Sequence, residues 1–220
     1  MKIAILGGSF NPLHIAHAML AETAVRELGY DKVLFIPTFI PPHKELSGTV
    51  SAKERLEMVR VFCEREGNGH FELESCEVER GGVSYTYDTL CYLLEKYKGQ
   101  LENKPALLMG EEIAAQFSKW KNAQAVAQMA DLIIFPRFPD SFGANRKSCG
   151  NKASGHYVAD FEIHFDKESF GFPCKVIDEP LLPVSSTQIR QRALCGKSFK
   201  YLVPPAVFDY IIEHKLYLER

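Results

Sequence analysis

Short apolar runs, each cut off by glycine or proline, alternate along this chain with longer stretches of helical spacing. Residues 2–6 are such a run and stop at Gly7-Gly8, which predicts a strand followed by a tight turn. Residues 15–28 then set Ile15, Ala18, Met19, Val25 and Leu28 at helical intervals, and Gly29 ends them. Residues 32–37 are a second apolar strand. Ser51 and Glu54 have capping-box spacing and open a helix with Leu56, Val59, Phe62 and Cys63 on its apolar face. A strand is expected at 71–73 and a helix at 86–97, where Tyr87, Leu90, Leu94 and Tyr97 form a packing stripe. Further apolar strands at 104–109 and 132–135 end at Gly110 and Pro136. Residues 185–194 and 205–215 read as helices, the second with Pro205 in its first turn.

The strands are continuously apolar rather than alternating, the pattern of a parallel sheet covered on both faces. The chain is therefore expected to be one α/β domain over 1–220. Residues 140–155 are rich in Gly, Ser, Asn and Lys and predict an exposed loop. Residues 157–163 predict one strand of a hairpin, within an insertion at about 138–172. A small helical portion follows at about 185–220.

Composition narrows the classes. With 220 residues the chain can bury a substantial core. Its 46% hydrophobic and 25% charged residues are ordinary for a globular protein, and a net charge of −2 gives no basis for a nucleic-acid partner. No apolar stretch is long enough for a membrane span, and the N-terminus does not read as a signal peptide. Cys63, Cys76, Cys91, Cys149, Cys174 and Cys195 are scattered, which predicts reduced, mostly buried thiols and a cytoplasmic location. No metal-ligand cluster is expected. A homo-oligomer is left open.

The chemistry starts at Gly7-Gly8-Ser9-Phe10-Asn11-Pro12-Leu13-His14-Ile15-Ala16-His17. Glycines at the carboxyl end of a first parallel strand let a phosphate approach the backbone, and the following helix offers N–H groups. His14 and His17 lie three apart and can share a side there, with the Ser9 hydroxyl beside them. The blander account is a tight turn with surface histidines. The chain has neither the P-loop pattern nor G-x-G-x-x-G, and its second strand ends without an acidic ribose ligand, which argues against a dinucleotide-binding dehydrogenase.

That opening segment resembles the G-G-[ST]-F-[DN]-P-x-H-x-G-H mark of the nucleotidyltransferase superfamily, and residues 184–190, V-S-S-T-Q-I-R, resemble its I-S-S-T-x-I-R signature. Residues 41–44 (P-P-H-K), 84–90 (S-Y-T-Y-D-T-L), Lys119-Trp120 and 201–204 (Y-L-V-P) make the likeness closest to the bacterial nicotinate-mononucleotide adenylyltransferases. Three places depart from the pattern: Ala16 for the glycine of H-x-G-H, Gly110-Glu111-Glu112 for Gly-x-Asp, and Arg137-Phe138-Pro139 for Arg-Pro-Gly.

The resemblance implies a Rossmann-like, doubly wound parallel sheet. It also implies adenylyl transfer from ATP, with Mg²⁺, to nicotinate mononucleotide in NAD biosynthesis. Transfer to the amide mononucleotide or to phosphopantetheine, and a non-catalytic nucleotide-binding relative, stay open. A tRNA ligase is disfavoured by the chain's length and by the lack of K-M-S-K-S. By the same resemblance His14, His17 and Arg190 are the catalytic candidates. Gly7, Gly8, Ser9, Phe10, Gly110, Glu112, Ser185, Ser186 and Thr187 join them around ATP. Lys44, Thr86 and Trp120 are assigned to the mononucleotide. Several have structural duties to weigh against these roles: Ser185 as a helix cap, Thr86 as the cap of the helix at 86–97, Trp120 as a packed ring.

Overall fold

The computed structural model describes residues 1–42, 50–136, 165–178 and 181–218. Six parallel strands make one sheet: β1 (Ile3–Gly8), β2 (Lys32–Pro37), β3 (Phe71–Leu73), β4 (Ala106–Gly110), β5 (Asp131–Phe135) and β6 (Cys174–Val176), in the order β3-β2-β1-β4-β5-β6. The order reverses between β1 and β4, the point at which sheets of this kind form a ligand crevice at the carboxyl ends, and β1 ends there at Gly7 and Gly8 and β4 at Gly110.

Alternate residues of β1, β2, β4 and β5 enter opposite cores. Ala4, Leu6, Val33 and Phe35 pack against α1 (Ile15–Arg26), α2 (Ala52–Glu66), α8 (Ser186–Leu194) and α9 (Pro205–Glu213). Ile3, Ile5, Leu34, Ile36, Leu107 and Met109 pack against α4 (Thr86–Lys96) and α6 (Ala123–Met129). Full burial of both strand faces is why the runs carry no polar alternation. The C-terminal helices are part of this layering, because α9 packs on α2 and Ala206 N–H donates to Glu66 Oε1 at 2.8 Å.

Several details differ from the sequence reading. The face of α1 that is fully buried is Ala16, Leu20, Ala21 and Ala24, while Met19 is exposed. Small alanines let α1 lie close to the sheet, and Ile15, Ala18, Val25 and Leu28 are only partly buried against the same core. In α2 the buried face is Arg55, Met58, Val59, Phe62 and Cys63, with Leu56 only half-buried. Leu90 and Leu93 are the fully buried leucines of α4, and Leu94, Tyr87 and Tyr97 are partly covered. Short helices α3 (Cys76–Arg80), α5 (Glu111–Ala114) and α7 (Lys167–Phe170), the whole of α6, and strand β6 were not anticipated.

The expected loop at 140–155 and hairpin strand at 157–163 lie outside the described residues. Of the five described cysteines, all free, Cys63 and Cys76 are buried but Cys91 and Cys195 are exposed, so the thiols are not mostly buried. Burial, with Glu64 and Glu72 beside Cys63 and Glu74 and Glu77 beside Cys76, pushes both buried thiols up to about 12. They are therefore un-ionised at neutral pH. Among the described residues no helix is long and apolar enough to cross a membrane.

Candidate active site

The glycines at the crevice differ in what they do. Gly7 and Gly110 have ordinary backbone angles, and among the described residues a Cβ on either would meet nothing within 4 Å. Neither conformation nor packing against the described residues calls for glycine there, and close approach by a ligand is a physical reason for it. At Gly8 a Cβ would lie 3.3 Å from the Phe10 ring. Phe10 itself takes a left-handed φ of 43°. Burial of its ring, 5.8 Å from Phe35 and 5.1 Å from the His17 ring, holds it there.

The loop from Ser9 to Pro12 is gripped by its carbonyls. Ser9 O accepts from Arg55 Nη1 at 2.7 Å, Asn11 O from Arg190 Nη1 at 2.7 Å, and Pro12 O from Ser186 Oγ at 2.9 Å. Tyr217 donates its hydroxyl to Asn11 Oδ1 at 2.6 Å. In a trans peptide the C=O and the following N–H point opposite ways. Fixing Ser9 O on Arg55 therefore turns the Phe10 N–H away from Arg55.

His14 is the extended N-cap of α1 and is buried. Its N–H donates to His17 Nδ1 at 3.2 Å, and the two rings stack with centroids 3.7 Å apart. With Nδ1 accepting, the neutral His17 ring carries its proton on Nε2, which makes that atom a donor. Ala16 is buried within α1.

The α8 end arrives at the same loop. Ser185 is its N-cap, accepting from Gln188 N–H at 3.2 Å, and Thr187 Oγ1 accepts from Arg190 Nη2 at 3.2 Å. Thr187 is exposed, whereas the Ser186 hydroxyl is given to Pro12 O. Ser186 thus docks α8 on the β1 loop, and the outward polar groups of the turn are Thr187 and the helix N–H groups.

Elements named for the mononucleotide also meet one another. Thr38 N–H donates to Gly8 O at 2.9 Å, Phe39 N–H to Ser84 Oγ at 3.2 Å, and Ser84 N–H to Ile40 O at 2.9 Å. The chain beyond β2 is in this way pinned to the start of α4. Lys44 lies outside the described residues. Thr86 is not the cap expected of it: Tyr85 is the N-cap, without a side-chain cap bond, and Thr86 is the first helical residue. Lys121 Nζ lies 2.9 Å from Asp88 Oδ2 and 4.7 Å from the Tyr85 ring centre, which ties the segment after Trp120 to the start of α4. The half-buried Trp120 ring also packs on Phe117, centroids 5.2 Å apart. Glu112 is exposed in the short α5.

Three residues around the site were missed. Glu77, buried, accepts from Thr89 Oγ1 at 2.7 Å and is also bonded by the Ser84 and Thr38 hydroxyls. Burial raises its carboxyl above the usual range, against the hydroxyls and Arg80 that pull it back. Arg55 is 1% exposed on the core face of α2. Its signal was a charge at the helical interval of Met58, Val59 and Phe62. Tyr217 follows the last helix and left no comparable pattern.

The cytidylyltransferase-like family profile matches residues 5–192. The chain belongs to this family. A Treponema pallidum protein named probable nicotinate-nucleotide adenylyltransferase is 37% identical over 217 residues, covering 99% of both chains. A Dictyoglomus thermophilum protein of the same name is 36% identical over 218 residues, 99% of this chain and 100% of its own. Among solved structures, Plasmodium falciparum nicotinic acid mononucleotide adenylyltransferase complexed with NaAD superposes with a TM-score of 0.72 at 20% identity, over 98% of this chain and 97% of that one. At that identity the likeness speaks for the fold alone.

Proposed function

We propose that this cytidylyltransferase-like protein is a nicotinate-nucleotide adenylyltransferase of NAD biosynthesis. An oxygen of the mononucleotide 5′-phosphate attacks the α-phosphorus of ATP. The bond to the β-phosphate breaks, giving nicotinate adenine dinucleotide and pyrophosphate. The nucleophile is already ionised at neutral pH, so no protein base is needed and catalysis rests on alignment and charge stabilisation.

His17 Nε2–H, with His14 stacked behind it, faces the triphosphate and steadies charge at the α-phosphorus and the departing pyrophosphate. The glycine backbone of β1 and the Ser9–Phe10 turn accommodate the phosphates. Thr187, Ser185 and the α8 N–H groups receive the β- and γ-phosphates, with Arg190 holding the loop and adding positive charge. Gly110 leaves room for the nucleoside and Glu112 lies on its ribose side. ATP is taken as its Mg²⁺ complex, the ion being part of the substrate. Among the described residues no group of three or more His, Cys, Asp or Glu could hold a metal, and an ion carried largely by phosphate and water suits that donor set. Lys44, Thr86 and Trp120 serve the mononucleotide phosphate, carboxylate and ring. Reaction and protein belong in the cytoplasm.

The observation that carries this reading is the docking of α8 on the β1 loop, Ser186 Oγ on Pro12 O and Arg190 Nη1 on Asn11 O, across more than 170 residues of sequence. Purified protein with Mg²⁺, ATP and each pyridine mononucleotide in turn, with products separated, tests it. Dinucleotide and pyrophosphate should form in equal amounts with the acid. Turnover with the amide alone would overturn the choice of acceptor, and ATP binding without turnover would overturn catalysis.

A further inference from the structure

Arg55 has no duty in the reading above, yet it is among the most deeply buried side chains of the protein. Its guanidinium lies between the ends of the two strands that lead to the substrates. Nη1 donates to Ser9 O at 2.7 Å and to Thr38 O at 2.7 Å, and Nη2 donates to Phe39 O at 3.1 Å. Ser9 belongs to the loop after β1; Thr38 and Phe39 begin the segment after β2.

A buried guanidinium is costly to keep. Among the described residues no carboxylate forms an ion pair with it, and Nε has no hydrogen-bond partner. Burial lowers its pKa from the ordinary value, but an arginine starts so far above neutrality that it stays charged. The rest of its helical face is Met58, Val59 and Phe62, so a methionine would suit the core better. Methionine cannot bind the carbonyls of the two loops at all, and lysine, a point charge on a flexible stem, lacks the planar fork that holds Ser9 O, Thr38 O and Phe39 O at fixed spacing.

We propose that Arg55 is a positioning residue for adenylyl transfer, a single buried fork that fixes the loop carrying the ATP phosphates relative to the segment leading to the mononucleotide. This rests on the site reading given above. Attack at the α-phosphorus depends on the spacing between two separately bound substrates, and a shift of about 1 Å can cost about 10²-fold in rate. The unneutralised charge also lies beside the place where two anionic substrates meet, and adds attraction for both.

The test is steady-state kinetics of Arg55→Lys and Arg55→Met at a temperature where circular dichroism shows each variant folded, with His17→Ala alongside. Positioning predicts that Arg55→Lys raises KM about fivefold for ATP and for the mononucleotide together, with kcat down about 10²-fold. Arg55→Met should be worse in both constants. Should Arg55→Met fail to fold, Arg55→Lys alone carries the result. If activity falls only with the folded fraction and both KM values stay at the wild-type level while His17→Ala is crippled, Arg55 is core support and the proposal is wrong. Wild-type rates for His17→Ala would overturn the site reading instead, and the proposal with it.

Discussion

Single residues in this site divide by whether the chain itself needs them. Gly8 is hemmed in by the chain, because its Cβ would lie 3.3 Å from the Phe10 ring, which would have to give way. Gly7 is not, since among the described residues a methyl there would meet nothing within 4 Å, at an ordinary backbone angle. Gly7→Ala should leave the melting temperature within about 2–4 °C of wild type, the effect of about 1 kcal/mol in a chain of this size. It should raise KM for ATP about tenfold or more, equivalent to about 1.4 kcal/mol of lost binding. Thermal melts and steady-state kinetics on one preparation check both halves. A stable variant with unchanged KM would mean that no ligand approaches Gly7. The histidines make a similar point. Their spacing was legible as a shared side, but the 3.2 Å bond from His14 N–H that sets the His17 tautomer needed coordinates.

Elements came through unevenly. Strands β1, β2, β4 and β5 and helices α1, α2, α4, α8 and α9 were readable because each holds a continuous apolar run or a helical repeat with a cap or stop residue, and β3 from its two apolar residues about Glu72. The short α3, α5 and α7 have fewer than two turns, too few positions for a period to show. Helix faces were harder than helix limits: the alanines of α1 look neutral in sequence, and a charged Arg55 on the core face of α2 reads as an interruption. The same holds for Glu77, in α3, which joins Thr38 to Ser84 and Thr89. Its carboxyl is raised on folding, so the contribution to stability is complete below the unfolded carboxylate range and is lost as pH rises through the folded value. Glu77→Gln removes that loss. Denaturant melts between pH 4 and pH 8 should show the variant gaining stability relative to wild type as pH rises. A constant difference at every pH would contradict the raised carboxyl.

For the whole molecule, the sheet order is what makes a site of scattered motifs. The reversal between β1 and β4 places two glycine-ended strands side by side, and α8, arriving on the face that also carries α1, α2 and α9, sets Ser186 and Arg190 on the β1 loop. The motifs were legible in sequence through their resemblance to a family, whereas the bonds joining them were not, since side-chain pairing across so long a separation has no periodic signature. Tyr217 shows the limit: it reaches Asn11 from a turn after the last helix, with a left-handed φ of 62°. The central claim is that one triphosphate touches both segments. Amide chemical-shift mapping on titration with Mg²⁺ and a non-hydrolysable ATP analogue tests this most directly. Residues 7–17, Gly110 and residues 185–190 should shift together along one binding curve. Shifts at 7–17 with none at 185–190, or two distinct binding curves, would contradict it.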